Sequence, residues 1–442
     1  MRPVRVIATA VIGVVLLVCS QPSRASDGTV ADQAPYWATE VFTSGSNRYH
    51  TFRIPSLIVA PDGSLLAFAE GRRSGRGDSG DIDLVMRRSR NGGKSWGPLT
   101  VVWDDGPNTC GNPCPVVDRT TGRIILVMTW NDGRDTEGAI MAGRSRDTRR
   151  VFVTVSNDSG QTWSSPREIT STTKKPHWRW YATGPGVGIQ LERGPHRGRL
   201  VIPCDHSDHS DEQHPYRSHV ILSDDGGKTW RIGGVAGPKT NESQVVELTD
   251  GRLLLNMRSY HGLNRRAIAY SDDGGESWSA VRLDDELIEP VCQASLIRFS
   301  AADRDDRNRL LFSNPASTRR ERMTVRLSYD EGQTWPIARV VYEGPAAYSC
   351  LTRLPDDRIG LLYERDDYAR IMFASFTLDW LTEGRDRIVR LAEQEARGRG
   401  PRLARYSAVR VWTAGWSRMA AARGIGRMHG IRAQAVWLRN CP

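Results

Sequence analysis

Four arginines stand at positions where apolar sequence meets polar sequence. Arg53 precedes Pro55 in an otherwise apolar run, and Arg72 ends the tetrapeptide AEGR. Arg258 and Arg320 lie in LLLNMRS and NPASTRRERMTVRLS. A buried arginine is rare without a partner, so each guanidinium must either pair with an internal acid or face a cavity. Gathered around one axis, the four would form a clamp that binds an anionic group bidentately, which lysine cannot do.

The strands that must position these arginines are indicated by an internal repeat. Five octapeptides share the pattern Ser-x-Asp/Asn-x-Gly-x-Ser/Thr-Trp: SRNGGKSW (89–96), SNDSGQTW (156–163), SDDGGKTW (223–230), SDDGGESW (271–278) and SYDEGQTW (328–335). In each box the Asp or Asn can accept backbone N–H bonds, Gly can adopt a positive φ, and Trp can pack beneath the turn. We interpret the boxes as scaffold turns, and their aspartates are therefore poor catalytic candidates.

Short β-rich runs flank the boxes and predict an all-β fold. Examples are DIDLVMRRS (81–89), RIILVMTW (123–130), HVILS (219–223) and MTVRLS (323–328). The boxes start 67, 67, 48 and 57 residues apart, which suits a four-stranded blade with variable loops. The sequence therefore predicts a six-bladed β-propeller with five Asp-box turns, plus a basic C-terminal extension. The sixth blade would join the strand near 37–43 to the last strand at 371–378.

The N-terminus predicts export. Residues 1–25 carry Arg2 and Arg5, then the apolar run VIATAVIGVVLLVCS, then the small-x-Ala site Ser23-Arg24-Ala25. This pattern is typical of a secretory signal peptide and predicts a secreted or periplasmic protein. Lipid anchoring at Cys19 is not expected, because valine and not a small residue precedes it. We also expect no membrane span after the signal peptide.

The positive charge is concentrated at the C-terminal end. The net charge of the chain is +10, and residues 385–442 contain 13 Arg against three acidic residues, which is also +10. The body at 36–381 is therefore nearly neutral, and we expect no nucleic-acid partner. We interpret 385–442 as a separate tail of disordered or loosely helical chain, with an arm that binds acidic surfaces as the alternative.

Cysteine and histidine spacing leaves two questions open. Six cysteines after the signal peptide are compatible with an oxidising compartment, but only Cys110 and Cys114 are close in sequence, so disulfides are possible and not deduced. The segment CDHSDHSDEQH (204–214) resembles a metal loop in composition. Its ligand residues lack a regular spacing, so we expect no metal and no cofactor.

Several segments together resemble one enzyme family. They are Phe52-Arg53-Ile54-Pro55, the five boxes, NESQVVELTDGRLLLNMRS (241–259) and AAYSCLTRLPDDRIGLLYE (346–364). Over residues 36–381 the chain resembles the exo-α-sialidases (neuraminidases) of the bacterial and animal Asp-box glycoside hydrolase family. The resemblance implies a substrate class of sialylated glycans. We expect a monomer.

The resemblance also implies roles for individual residues. Arg53, Arg258 and Arg320 would bind the carboxylate of sialic acid, with Arg72 as an additional arginine and Glu364 orienting Arg53. Glu242 and Tyr348 would form the nucleophilic pair. The anomeric carbon of sialic acid already bears a carboxylate, so a neutral phenol avoids the repulsion that an acidic nucleophile would meet.

The remaining site assignments have alternatives. Asp78 is the expected acid/base, chosen over Asp81 and Asp83, with an exposed loop acid as the alternative. Four further residues are expected to line the sugar, although each is equally interpretable as a core or loop polar group: Asn112, Glu137, Asp205 and Gln293. Asp205 is expected on the rim, near the glycerol side chain of the sugar.

The expected reaction is hydrolysis of terminal α-linked sialic acids from glycoproteins, glycolipids or oligosaccharides, with retention of configuration. A trans-sialidase or an intramolecular trans-sialidase is the enzymatic alternative. A propeller that binds sialoglycans without catalysis, or one that serves protein partners, is the alternative of another class.

Overall fold

The computed structural model describes residues 34–211 and 213–389. The described chain is almost entirely β-structure, so the all-β prediction is confirmed. The strands are β1 (Tyr36–Thr43), β2 (Thr51–Val59), β3 (Leu65–Arg72), β4 (Ile82–Ser89), β5 (Thr100–Trp103), β6 (Thr109–Asp118), β7 (Arg123–Asn131), β8 (Arg150–Ser156), β9 (Arg167–Glu168), β10 (Trp178–Thr183), β11 (Ile189–Gln190), β12 (Leu200–Asp208), β13 (Tyr216–Ser223), β14 (Arg231–Pro238), β15 (Thr240–Glu247), β16 (Leu253–Ser259), β17 (Arg265–Ser271), β18 (Arg282–Ile288), β19 (Ser295–Ser300), β20 (Arg309–Pro315), β21 (Glu321–Ser328), β22 (Ile337–Arg353), β23 (Ile359–Arg365) and β24 (Arg370–Phe376). The short helices are α1 (Glu137–Met141), α2 (Thr170–Thr173) and α3 (Leu378–Thr382).

Consecutive strands pair into antiparallel groups of four. The first groups are β2-β3-β4-β5, β6-β7-β8-β9, β10-β12-β13-β14 and β15-β16-β17-β18, with β11 added to β12. In the fifth group, β19 pairs with β20, β20 with β21, and β21 with the first half of β22. The second half of β22 pairs with β23 and so begins the last group. This is the repeat expected of a propeller. The number of blades stays a prediction, because β22 joins two groups into one sheet.

The N-terminal strand closes the last group. β1 pairs antiparallel with β24, from Tyr36 opposite Phe376 to Thr43 opposite Arg370. Tyr36 also stacks on Trp380 of α3, with ring centroids 4.8 Å apart. The predicted pairing of the strand near 37–43 with the last strand is therefore confirmed, and it covers an edge that would otherwise be open to another chain.

Apolar side chains lie between neighbouring groups. Leu66 and Phe68 of the first group pack with Ile124 and Leu126 of the second. On the far side of the first group, Leu57 and Leu65 belong to the same cluster as Leu362 and Phe373 of the last. Every residue of β15 is buried, whereas outer strands such as β5 and β9 are largely exposed. The first strand of a group therefore faces the interior, and the fourth faces solvent.

The five boxes are turns between the third and fourth strands of their groups. In each, the Ser hydroxyl donates to the Asp or Asn side chain at 2.7–2.9 Å and accepts the Gly N–H at 2.8–2.9 Å. The glycine that all five boxes share has φ between 81° and 92°. The predicted turn geometry is confirmed, and these aspartates serve the scaffold.

The five cysteines within the described chain, Cys110, Cys114, Cys204, Cys292 and Cys350, are buried and free. No helix in this part of the chain is long and apolar enough to cross a bilayer. The predicted signal peptide with Cys19, and residues 390–442 of the predicted tail with Cys441, lie outside the described residues. The start of that tail is not separate from the fold, because Asp386 is 6% exposed and accepts from Arg309 at 2.7 and 2.8 Å.

Candidate active site

One-residue bulges interrupt five inner strands at corresponding positions. At each bulge the inner strand advances by three residues while the neighbouring strand advances by two. The bulges lie between Arg53 and Ser56, Gly111 and Cys114, Trp178 and Tyr181, Thr240 and Ser243, and Ala346 and Ser349. A bulge breaks the alternation of the strand and redirects a side chain. Asn112, Glu242 and Tyr348 lie inside such bulges, and Arg53 stands at the edge of one.

The Tyr348 hydroxyl donates to Glu242 Oε1 at 2.5 Å. Arg258 Nη1 donates to Glu242 Oε2 at 2.8 Å and to the Tyr348 hydroxyl at 3.2 Å. Tyr348 is only 6% exposed. Burial, reinforced by the charge of Glu242, raises the pKa of this phenol well above its ordinary value, while Arg258 and Arg320 act in the opposite direction. Tyr348 is therefore a neutral phenol that donates its proton to a hydrogen bond with Glu242.

Glu364 connects Arg53 of the predicted carboxylate clamp to the strand that carries Tyr348. Arg53 Nε donates to Glu364 Oε1 at 2.7 Å, and the buried carboxylate also accepts the backbone N–H groups of Ile54 and Tyr348, each at 2.9 Å. Ile54 has a φ of 61°, which a β-branched residue rarely adopts. The carboxylate thus fixes both the orientation of Arg53 and the strand that carries Tyr348.

Three predicted clamp arginines converge on Tyr348. The guanidinium carbons of Arg53 and Arg320 lie 5.2 and 5.7 Å from the centroid of the Tyr348 ring, and Arg258 bonds its hydroxyl. Arg320 Nη1 donates to Tyr368 Oη at 3.1 Å, and its Nη2 donates to the Val291 carbonyl at 3.2 Å. The arrangement concentrates positive charge around one phenol, which suits an anionic ligand.

The loop that follows β3 brings Asp78 to the same place. Arg72 Nη2 lies 2.8 Å from Asp78 Oδ1 and 2.7 Å from Glu70 Oε2. The Asp78 side chain is 65% exposed, so it can meet a ligand. Neighbouring residues partly desolvate the carboxyl group, which by itself would raise the pKa of Asp78, but the positive charges of Arg72 and Arg53 outweigh this effect and lower that pKa. The alternatives Asp81 and Asp83 pair instead with Arg73, at 3.0 and 2.6 Å.

Two of the expected lining residues reach the site. Asn112 has a φ of 53°, its backbone N–H donates to Glu70 Oε1 at 2.9 Å, and its Oδ1 accepts from Thr129 and Arg149. Glu137 begins α1 and accepts a 2.6 Å bond from the Tyr216 hydroxyl. Burial raises the pKa of Glu137, and the bond from Tyr216 only partly offsets it.

Comparison with known proteins identifies the family. The BNR repeat-like domain matches residues 63–363. A sialidase of Micromonospora viridifaciens is 37% identical over 78% of this chain and 54% of its own length. An exo-alpha-sialidase of Aspergillus fumigatus is 33% identical over 76% of this chain and 86% of its own length. The chain belongs to the sialidase family.

Solved structures of this family match the fold. The Hadza microbial sialidase Hz136 superimposes with a TM-score of 0.70 at 32% identity, covering 78% of this chain and 69% of that one. A leech intramolecular trans-sialidase superimposes with a TM-score of 0.67 over 78% and 71%, and at 20% identity it shows the fold alone. The propeller prediction is thereby confirmed. The chain spans about half (54%) of the length of the Micromonospora sialidase.

Two expected lining residues lie elsewhere in this sialidase fold. Asp205 is fully buried and accepts from Asn241 Nδ2 at 2.9 Å, so it lies beneath the site and not on the rim. Burial, then the nearby charges of Glu242 and Glu137, raise its pKa well above the ordinary value. Gln293 is 1% exposed, and its amide bonds the backbone of Pro185 and Ser349 at 3.0–3.1 Å. Asp205 lies on the almost wholly buried strand β12, and Gln293 lies just before β19, so a sequence motif does not reveal their burial.

The sequence reasoning missed Arg149 and Trp180. Arg149 is buried, donates to Asn112, Thr129 and Asn131, and lies 4.0 Å from the centroid of the Trp180 ring. Trp180 occupies the third strand bulge, at the place that Glu242 and Tyr348 occupy in theirs. No short motif marks this bulge, so only the register could have found it.

Three tyrosines were also missed. Tyr216 and Tyr260 pack with ring centroids 5.1 Å apart, and Arg258 lies 5.3 Å from the Tyr260 ring. Tyr368 contacts Arg53 and Arg320. Tyr260 follows Arg258 by two residues, a position on the same side of a strand, and this spacing was a usable signal.

The segment 204–214 does not assemble a metal centre in the described part of the chain, where no group of three or more candidate ligands occurs. Its first histidine, His206, is buried, stacks on Trp178 at 3.5 Å and bonds His219 Nδ1 at 2.9 Å. Burial lowers the pKa of His219 to about 3, so this imidazole is neutral. His206 and His219 are therefore part of the blade interior.

Proposed function

We propose that this chain is an exo-α-sialidase that hydrolyses terminal α-linked sialic acids from sialylated glycans with retention. The observation that carries the proposal is the 2.5 Å bond between the Tyr348 hydroxyl and Glu242 Oε1, made among three convergent arginines. The names of its relatives, sialidase and exo-alpha-sialidase, support the same substrate class.

The carboxylate of the sugar would be bound by Arg53, Arg258 and Arg320. Their planar forks can bond both carboxylate oxygens, which orients the anomeric carbon relative to Tyr348. The Arg53–Glu364 pair supports this step, because it holds one arm of the clamp before the ligand arrives.

In the first half of the reaction, the Tyr348 oxygen attacks the anomeric carbon while its proton moves to Glu242. Tyr348 needs this base because its pKa is raised in the buried site. The bond from the anomeric carbon to the leaving oxygen breaks, and Asp78 supplies the proton that the oxygen takes up.

In the second half, water attacks the anomeric carbon of the tyrosyl intermediate. Asp78 takes a proton from this water, and Glu242 returns its proton to the departing Tyr348 oxygen. Two displacements at one carbon restore the starting configuration, which gives retention.

We also propose that the protein acts outside the cytoplasm, since residues 1–25 have the pattern of a secretory signal peptide. Transfer to a second glycan, or to another oxygen of the same sugar, would use the same intermediate. These alternatives differ from hydrolysis only in what attacks in the second half.

The deciding experiment measures release of sialic acid from an α-sialoside by the purified chain beside Tyr348→Phe. The expected result is turnover by the wild type and a loss of about 10³-fold or more in kcat for the variant. Tyr270→Phe, a tyrosine of β17 that bonds Arg282 far from the clamp, is the control.

Product analysis separates the alternatives. Free sialic acid of α configuration at first release supports hydrolysis with retention, whereas a sialylated acceptor or an anhydro sugar would indicate transfer. Sugar binding without any turnover by the wild type would contradict the enzymatic proposal and favour a binding propeller.

A further inference from the structure

The hairpin turn between β23 and β24 has an unusual backbone. Asp366, Asp367 and Tyr368 have φ values of 54°, 51° and 67°. Asp tolerates the left-handed region, but a bulky residue there is an outlier. Such a conformation persists only where the surrounding structure holds it, and it occurs preferentially at functional sites.

Several bonds hold this turn. The Asp366 carboxylate accepts from the Tyr342 hydroxyl at 2.5 Å and from Arg365 and Arg370 at 3.0 Å each. Ser44 donates its hydroxyl to the Tyr368 carbonyl at 2.8 Å and its backbone N–H to the Ala369 carbonyl at 2.9 Å. Asp366 and Ser44 therefore fix the backbone, which leaves the side chains of Asp367 and Tyr368 for other contacts.

Tyr368 contacts two arms of the carboxylate clamp. Its ring centroid lies 4.0 Å from the guanidinium carbon of Arg53, a distance typical of a cation–π contact. Its hydroxyl accepts from Arg320 Nη1 at 3.1 Å. Because Arg53 is 7% exposed and also pairs with Glu364, the Tyr368 ring restricts it from a second side.

Asp367 contacts the loop that carries Asp78. Arg76 Nη1 donates to Asp367 Oδ2 at 2.8 Å, and the Arg76 carbonyl accepts from Arg72 Nη1 at 2.6 Å. Arg72 in turn pairs with Asp78 at 2.8 Å. A continuous set of bonds therefore runs from the turn through Arg76 and Arg72 to Asp78.

We propose that the turn formed by residues 366–368 is a positioning element that aligns the Asp78 loop with the carboxylate clamp. Asp367 holds the loop through Arg76, and Tyr368 holds Arg53 and Arg320. The inference rests on the proposed sialidase function and adds two positioning residues to it, neither of which touches the reacting atoms.

This role has two halves, the loop half (Asp367 holding the Asp78 loop) and the clamp half (Tyr368 holding Arg53 and Arg320), and each should affect the kinetics differently. An alcohol leaving group, as in sialyllactose, needs a proton from Asp78, whereas the phenol of an aryl sialoside leaves with little help. Misplacement of the Asp78 loop should therefore slow sialyllactose more than the aryl substrate. Misplacement of the clamp should weaken binding of both substrates equally.

The loop half is tested with Asp367→Asn, Arg76→Gln and the double variant on sialyllactose and 4-methylumbelliferyl sialoside. The expected result is about a threefold fall in kcat/KM for sialyllactose and almost none for the aryl substrate, the size that an exposed ion pair supports. The double variant should lose no more than either single one. The control is Asp250→Asn, which removes an exposed Asp–Arg pair of 2.8 Å at a distant turn.

The clamp half is tested with Tyr368→Phe and Tyr368→Ala by calorimetric binding of a 2,3-didehydro sialic acid analogue. Phe keeps the ring over Arg53 and loses the bond to Arg320, so binding should weaken about threefold, and about tenfold or more for Ala.

Equal losses on both substrates for Asp367→Asn, or unchanged analogue binding by Tyr368→Ala, would overturn the positioning role. A wild type inactive on both substrates would overturn the proposed function, and this inference with it. Activity of the wild type thus tests the proposed function, and the ratio of the losses on the two substrates tests the positioning role of the turn.

Discussion

At the residue scale, the charge around Asp78 bears directly on its proposed role as the acid, because positive neighbours disfavour its protonated form. Arg72 lies 2.8 Å away and, together with Arg53, lowers the pKa of Asp78 in the unliganded chain. A general acid acts only in its protonated form, so kcat/KM should fall as pH rises through this lowered pKa. A bound substrate carboxylate would draw on the same positive charges and so favour protonation of Asp78.

We therefore predict that Arg72→Gln moves the basic limb of the kcat/KM profile to higher pH. Arg72 is the nearer of the two positive charges that lower the pKa of Asp78, so its loss should let that pKa rise. The measurement is kcat/KM for sialyllactose across the pH range. Arg73→Gln, whose partners are Asp81 and Asp83, should leave the limb in place. A limb unmoved in Arg72→Gln would argue against Asp78 as the acid.

At the element scale, the inner-strand bulges and the Asp-box turns have different roles in each blade. The inner-strand bulges direct Glu242 and Tyr348 to the site, while the boxes lie at the turn between the third and fourth strands. The box aspartates should therefore affect folding and not chemistry.

The box SDDGGESW allows a matched test with two adjacent aspartates. Asp273 accepts bonds from the Ser271 hydroxyl, the Ser277 N–H and the Ser277 hydroxyl at 2.7, 3.0 and 2.5 Å, while Asp272 beside it is exposed. Asp273→Ala should lower the free energy of unfolding by about 1–3 kcal/mol, because the buried Ser271 hydroxyl and two exposed donors of Ser277 lose their common acceptor. Asp272→Ala should change it little, and kcat/KM should be unchanged in both. Chemical denaturation measures the difference, and equal stabilities would contradict the scaffold role.

At the scale of the whole molecule, the ring depends on one strand from the other end of the chain. β1 covers the edge of β24 and places Val41 and Phe42 in the cluster that joins the last group to the first. The site depends on the same junction, since Arg53 and Glu364 come from these two groups.

A chain that begins at residue 45 should therefore melt about 10 °C or more below one that begins at residue 34, and it should aggregate. Removal of a buried phenylalanine alone costs about 3–5 kcal/mol, and the edge of β24 becomes available for intermolecular pairing. Calorimetry and size-exclusion chromatography measure both effects. Equal melting temperatures would show that closure by β1 is dispensable.

Much of this arrangement was predictable from local sequence. The five boxes and the alternating strands follow from turn chemistry and side-chain period, which act over a few residues. The closing pair β1–β24 was predicted instead from the need of a closed propeller to cover its sheet edges. The residues of the proposed nucleophilic pair and of the proposed clamp stand in recognisable motifs around Phe52-Arg53-Ile54-Pro55, Glu242 and Tyr348.

The sequence by itself thus determined the β-fold and the repeat, and it supplied the residue types of the proposed site. The tertiary structure alone decided that Asp205 and Gln293 lie beneath the site, that Arg149 stands behind Asn112, and that Tyr368 lies over Arg53. The physical reason is that a one-residue bulge redirects a side chain, and contacts between residues hundreds of positions apart depend on how the ring closes.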